Sequence, residues 1–402
     1  MPYKKLAILV CAAMLASALC GCSDGPVAAP DGAPQEHGAQ GGEAPDGASQ
    51  AGEAQAPPDT APDSGDTAET HDIDFDAAFA AFPPDAAMIV EGDYTVTWAE
   101  LFFLLREQLK PLLEGAASFP DFSQAQEDGM PLSRSVKDKA AGNALKFRAL
   151  EHGAKLLGFE IKEDQRSFLG YMKENMLDSV GDEGLFAEML WESNGVKDLG
   201  LFDYLLYLNY LPFFLFLEIY GESAENLSDE EAALLTDGEG YAVAKHIMRK
   251  KDGTGDATPM RELEIVLRQL RNYDGDDFGA FFDELMYGHS EDEGGLFDFP
   301  DGYLFRPGDM EPAFDEACRA LEIGEISGIV ETGEGYHILY RLPVNYDIVP
   351  IVYYRLDETD SLRVLAAMGL FEATLLGWKG DLSPTFTSDF ESLDVSAIFV
   401  EK

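Results

Sequence analysis

Two stretches of this 402-residue chain place a chemically useful side chain inside an apolar strand pattern. "GEGYHILYRL", residues 333–342, sets His337 among Tyr336, Ile338 and Leu339, and "YAVAKHIMRK", residues 241–250, carries His246. An imidazole in such a place is either a core group satisfied by one hydrogen bond or a proton-handling group tuned by burial. Metal chemistry finds little support, because the six histidines are scattered and no paired His or Cys spacing occurs. Serine or cysteine hydrolase chemistry lacks its local signature as well. Cys318 stands in the helix-like "EPAFDEACRALEIG", where a small buried apolar role is expected. No cofactor or metal is expected.

The elements that must position these histidines form a compact α+β pattern between 240 and 344. A strand at 241–250 is followed by the helical stretches "MRELEIVLRQLRNY" and "FGAFFDELMYG", then by a Gly/Pro/Asp-rich loop over 288–309. A helix at 310–320, the turn "EIGEIS" and the strands "GIVET" and "GYHILYRL" complete it. Met310 and Phe314 are four apart, a spacing that puts both on one helix face.

Before this module, residues 73–239 read as mostly helical, with patterns at 134–157, 161–179, 182–194 and 199–220. A strand, a Gly-Asp turn and a helix start open the region, and Thr97 with Glu100 forms a capping-box signature. "LFDYLLYLNYLPFFLFLEIYG", 201–221, is apolar enough to suggest a membrane span. Its apolar core between Asp203 and Glu218 is nevertheless short, and Pro212 interrupts it. A buried helix, or a partly exposed aromatic surface for unfolded chains, is expected instead. After the module, residues 345–402 carry the run "IVPIVYYRL" with strand character, an amphipathic helix at 360–381 and a short final strand in "DVSAIFV".

The first residues belong to targeting. Lys4 and Lys5 precede "LAILVCAAMLASAL" and then "CGCS", the plan of a secretory signal over residues 1–21. Its end resembles the bacterial lipobox, which implies Cys22 as the lipidated new N-terminus; a plain cleaved signal is the alternative. Processing would remove Cys11 and Cys20 and occupy Cys22, leaving Cys318 without a disulfide partner. Residues 22–72 are rich in Ala, Gly, Pro and acid, with no Lys or Arg between Lys5 and Arg106, and read as a disordered acidic tether. The formal charge of -47 excludes general affinity for nucleic acid or anionic lipid heads.

At "AKHIMRK", "HSEDEGG" and "PDGYLFRPGDMEPAFDEACRALEIGEISGIVETGEGYHILYRL" the chain resembles the parvulin-type peptidyl-prolyl cis-trans isomerases. The resemblance covers 240–344, and the surrounding plan is similar to extracytoplasmic foldases of the PrsA/SurA kind. It implies a small antiparallel sheet with surrounding helices, joined to a mostly α-helical, chaperone-like domain of N- and C-terminal segments. It implies that His246 and His337 meet beneath the site, that Asp292 fills the Cys/Asp position, and that Thr332 is tied into the histidine network. Met310 and Phe314 would form the apolar floor under the proline ring. The loop that usually reads like Gly-Asp-Leu-Gly is "FPDGYLF" here, so Tyr303, Leu304 or Phe305 could supply the loop contact, with Phe305 favoured. Glu334 stands where a small polar residue is common. Phosphate-directed specificity would need Arg249, Lys250 or Lys251 free, against their plainer role as solvent-facing strand-end cations.

The expected activity is non-covalent rotation of X–Pro bonds in unfolded or partly folded secreted polypeptides. The protein would sit outside the cytoplasmic membrane, held to it through the N-terminal lipid alone. The rival from another class is a holdase whose helical region and C-terminal helix cradle clients beside a weak or inactive parvulin domain.

Overall fold

The computed structural model describes residues 73–401 except 114–117, 252–256, 355, 357 and 358. The signal, Cys22 and the tether therefore lie outside the described residues. Seven strands are present among those described: β1 (Ala87–Glu91), β2 (Tyr94–Thr97), β3 (Ala242–Lys250), β4 (Tyr303–Phe305), β5 (Ile326–Glu331), β6 (Gly335–Leu342) and β7 (Thr385–Phe386). The described residues form two compact units, one from those up to 145 with 175–204 and those from 384 on, the other from 146–174 with those within 205–383. The division passes through the helices Leu132–Leu157, Glu163–Val180 and Leu199–Tyr220.

In the first unit β1 lies between β2 and β7. The helix Trp98–Leu113 starts directly after β2, and Thr97 Oγ1 accepts from the Glu100 amide at 3.3 Å, as the capping signature predicts. Trp98, Phe102 and Phe79 are buried together with Trp191 and Phe399. Phe102 stacks on Trp191 with centroids 5.8 Å apart, and the Trp98 indole donates to the Phe79 carbonyl at 2.7 Å.

The second unit contains the four-stranded antiparallel sheet β4-β3-β6-β5. Both its faces are covered, which explains why its strands are apolar runs rather than alternating patterns. Ile247 and Ile338 face the helices Thr258–Arg271 and Phe278–His289, burying against Leu263, Val266 and Phe282. On the opposite face Ala242, Ala244 and Leu339 pack against Phe314 and Cys318 of the helix Pro312–Arg319. Cys318 is a buried free thiol, the small apolar role expected of it.

The helix Leu199–Tyr220 is the one described helix long and apolar enough to cross a membrane, with an 18-residue window of mean hydropathy 1.4. Its second half turns inward within the unit. Phe214 meets Phe168, and Phe216 meets Phe371 of the helix Leu362–Gly380 at 5.9 Å. Phe213 to Phe216 are all buried, while Tyr207 and Tyr210 are half-buried.

Three local expectations are corrected. "IVPIVYYRL" is not a strand: Pro350 makes a single parallel bridge to Leu304, then Ile351–Tyr354 turn into a short helix with Tyr353 N–H donating to the Pro350 carbonyl. "DVSAIFV" forms the helical turn Val395–Ile398 because the Asp394 side chain caps it, accepting from the Ser396 amide at 3.0 Å. The loop read over 288–309 contains β4 and a π-helical turn at Gly294–Asp298.

Candidate active site

Antiparallel pairing decides where the two histidines go. His246 pairs with Leu339 and Met248 with His337, so the imidazoles are diagonal neighbours on one face of adjacent strands. Their rings lie 18° from parallel with centroids 5.1 Å apart, and the two Nδ1 atoms are separated by 3.1 Å. Both residues are buried, His246 at 5% and His337 at 4% exposure.

The turn between β5 and β6 supplies the next member. Thr332 Oγ1 lies 2.8 Å from His337 Nε2 and accepts from the amides of Glu334 (3.2 Å) and Gly335 (3.3 Å). With both lone pairs engaged, the hydroxyl has only its proton left to give, so it donates to Nε2. His337 then carries its proton on Nδ1 and donates to His246 Nδ1. His246 in turn carries its proton on Nε2 and donates to Asp292 Oδ2 at 2.5 Å. One direction of donation therefore runs from the turn to the carboxylate. Gly335 makes the approach possible, since a Cβ there would collide with the Arg249 carbonyl.

Charge follows the same path. Burial, with the neighbouring His246 adding to it, pushes His337 down to about 4, which keeps it neutral at physiological pH. Burial alone would raise the Asp292 carboxyl. The hydrogen bonds from His246, the Tyr303 phenol and the Gly295 amide outweigh it and hold Asp292 down at about 2. Asp292 is thus an anion throughout the working range, and its side chain remains 20% exposed.

The apolar wall stands over this network. Phe314 meets His246 edge-on at 5.4 Å and His337 at 5.8 Å. Met310 packs half-buried on the same cluster, but it precedes the helix, which begins at Pro312, so the two do not share a helix face as the spacing implied. Phe305 is corrected more firmly. It has no exposed surface and supports Phe314 from beneath at 5.7 Å, so it is not a surface for a ligand. Tyr303, one of the three candidates in that stretch, instead donates its hydroxyl to Asp292 Oδ2 at 2.7 Å. Sequence reasoning missed this role; the available signal was a hydroxyl-bearing aromatic immediately after Gly302.

Two of the three strand-end cations are engaged. Arg249 pairs with Glu262 and Glu291, and Lys251 donates to the Thr332 carbonyl at 2.7 Å and pairs with Glu331 at 2.9 Å. Glu334 is exposed at the rim. No group of three or more His, Cys, Asp or Glu with metal-holding geometry occurs among the described residues.

Residues 246–342 match the Rotamase family, the PPIC-type PPIASE domain. Over 101 residues the chain is 38% identical to the Chaperone SurA of Nitrosococcus oceani, covering 25% of this chain and 22% of that protein. Over 96 residues it is 40% identical to the Foldase protein PrsA of Geobacillus kaustophilus, covering 24% of this chain and 29% of that one. The chain thus spans less than a third of the length of either relative in these matches. The crystal structure of PrsA from Bacillus subtilis aligns over 65% of this chain and 90% of its own, at 16% identity and a TM-score of 0.23, too loosely to carry an argument.

Proposed function

We propose that this chain, whose residues 246–342 form a PPIC-type peptidyl-prolyl isomerase domain, rotates X–Pro bonds in unfolded secreted polypeptides outside the cytoplasmic membrane. The observation that carries the reading is the buried, one-directional chain Thr332–His337–His246–Asp292, ending in an anion, with Phe314 edge-on against both imidazoles. An X–Pro amide crosses a barrier of roughly 18–20 kcal/mol because resonance is lost when it twists. Uncatalysed exchange takes tens of seconds or more, slow enough to limit folding.

The planar amide puts negative charge on its oxygen and the twisted one withdraws it. An apolar wall therefore favours the twisted, less polar form, and a fixed anion near the carbonyl repels it less. Asp292 acts as charge rather than as a proton donor, since it stays ionised. The histidines hold it in place. No covalent intermediate is needed.

The helical segments of 73–239 and 345–402 are assigned the task of holding clients, and Cys22 the lipid that tethers the chain through residues 22–72. The "LCGCS" sequence supports the anchor. Phosphate direction is not part of the reading, because Arg249 and Lys251 already have acidic partners.

The test is a protease-coupled isomerisation assay on Ala-X-Pro-Phe peptides, comparing the wild-type chain with Asp292→Ala. Acceleration that varies with X and drops about 100-fold in the variant is expected. A folded wild-type chain that accelerates no peptide overturns the isomerase; full retention in the variant overturns the role of Asp292.

A further inference from the structure

Asp292 is held in an asymmetric way. The His246 ring at 2.5 Å, the Tyr303 phenol at 2.7 Å and the Gly295 amide at 3.2 Å all donate to Oδ2. No donor among the described residues reaches Oδ1, on a side chain that keeps a fifth of its surface open. Two donors would leave the carboxylate able to rock about its Cβ–Cγ bond. Three converging on one oxygen from the sheet, from β4 and from the π-helical turn fix its plane. Gly295 can take part because it lacks a side chain: a Cβ there would sit 2.7 Å from Oδ2.

The phenol is itself rigidly placed. Tyr303 pairs with Ala244 in the sheet, and its ring meets His246 edge-on at 5.5 Å and Phe299 at 4.7 Å. Phe299 is backed by Tyr354 at 4.7 Å, on the short helix that follows Pro350. Residues on both sides of the module's last strand thus brace one hydroxyl group. A tyrosine that only filled core space would need no such aim at the carboxylate.

We propose that Tyr303 is a positioning residue for the isomerase: held by β4 and Phe299, its phenol locks Asp292 Oδ2 so that Oδ1 faces the carbonyl of the bound X–Pro bond. The role rests on the isomerase reading above. Tyr303 acts through Asp292 and touches no substrate. Its hydroxyl also helps keep the carboxyl ionised, and the Phe299–Tyr354 pair determines how firmly it does so.

The test is a double-mutant cycle on the full chain with Tyr303→Phe, Asp292→Asn and both, read by peptide isomerisation and by the carboxyl carbon titration of Asp292 in NMR. Tyr303→Phe keeps the ring and its packing. The expected result is a fall of about 10-fold in kcat with little change in KM, a rise of about one unit in the Asp292 titration, and no further loss when Tyr303→Phe is added to Asp292→Asn. A variant within twofold of wild type, an unmoved titration, or losses that simply multiply in the double variant overturns the role. A wild-type chain without activity overturns the isomerase reading first and this role with it, whereas an active wild type with an indifferent variant overturns this role alone.

Discussion

Both units bury polar side chains at the centre of aromatic clusters, and they close those networks differently. In the first unit Arg106 is only 6% exposed, its guanidinium 3.7 Å above the Phe75 ring. Its two terminal nitrogens donate to the carbonyls of Trp191 (2.7 Å) and Glu192 (2.6 Å), at the end of the helix Glu183–Asn194. The Trp191 carbonyl also accepts from the Gly195 amide at 2.9 Å, the Glu192 carbonyl is of the kind that a helix terminus leaves open, and a cation there suits the helix dipole. Gly195 ends the helix in the left-handed region (φ 75°), where a Cβ would meet the Arg106 side chain at 2.5 Å. The network stops on main chain.

In the sheet of the second unit the network starts on main chain, at the amides of Glu334 and Gly335, and ends on a carboxylate with one oxygen open. A buried polar group that ends on backbone holds the fold together. One that ends on a half-open anion can act on something else. The two centres are similar in burial and in aromatic surroundings, so neither property alone separates structure from chemistry.

The largest expected effect tests the closed network. Arg106→Met should cost about 3–4 kcal/mol, since the Trp191 and Glu192 carbonyls lose charge-assisted donors and the cation over the Phe75 ring is removed. Chemical denaturation reads this, and kcat/KM per folded molecule should not change. A loss of activity in well-folded protein would erase the distinction drawn between the two centres.

The next effect concerns pH. His337 is depressed to about 4 in the folded chain, against about 6.5 when unfolded. Between those values the unfolded state binds the extra proton, so stability falls as pH drops through that window and levels off below it. The contribution is up to about 3 kcal/mol. With 75 acidic residues titrating nearby in the same range, the measurable quantity is a difference. His337→Gln should lose less stability than wild type between pH 7 and pH 4, measured by denaturant unfolding at each pH. Parallel slopes would show that His337 shares its proton freely.

The smallest effect probes the direction of donation. Thr332→Val preserves shape and removes the proton that fixes the His337 tautomer. It should lower kcat/KM about tenfold, roughly 1.4 kcal/mol, while changing stability less than Arg106→Met does. An unaltered kcat/KM would mean that Asp292 and Tyr303 hold the site without the turn.

Much of the fold was legible because its signals are local. The apolar strands around His246 and His337, the Thr97 cap and the helical stretches from 132 to 220 follow from spacings within a few residues. The elements missed depend on partners far away in sequence. β4 is three residues long, too short for any period to show, and exists because Tyr303–Phe305 pair with Ala242–Ala244. "IVPIVYYRL" and "DVSAIFV" have strand composition, yet the first is claimed by a turn after Pro350 and the second by the Asp394 cap. Phe305 and Tyr303 are two residues apart on one face. Only the packing of Phe314 over one and the reach of the other to Asp292 decides which is core and which joins the site.

By itself, then, the sequence determined the two central strands and the turn beside them, because apolar strand runs and turn chemistry act over a few residues. Tertiary structure decided the register that brings His246 beside His337, the single direction in which their protons point, and that Tyr303 reaches Asp292 while Phe305 is buried beneath Phe314. Those depend on contacts between residues 11 to 91 positions apart, where pairing and burial, not neighbouring residues, set the energy.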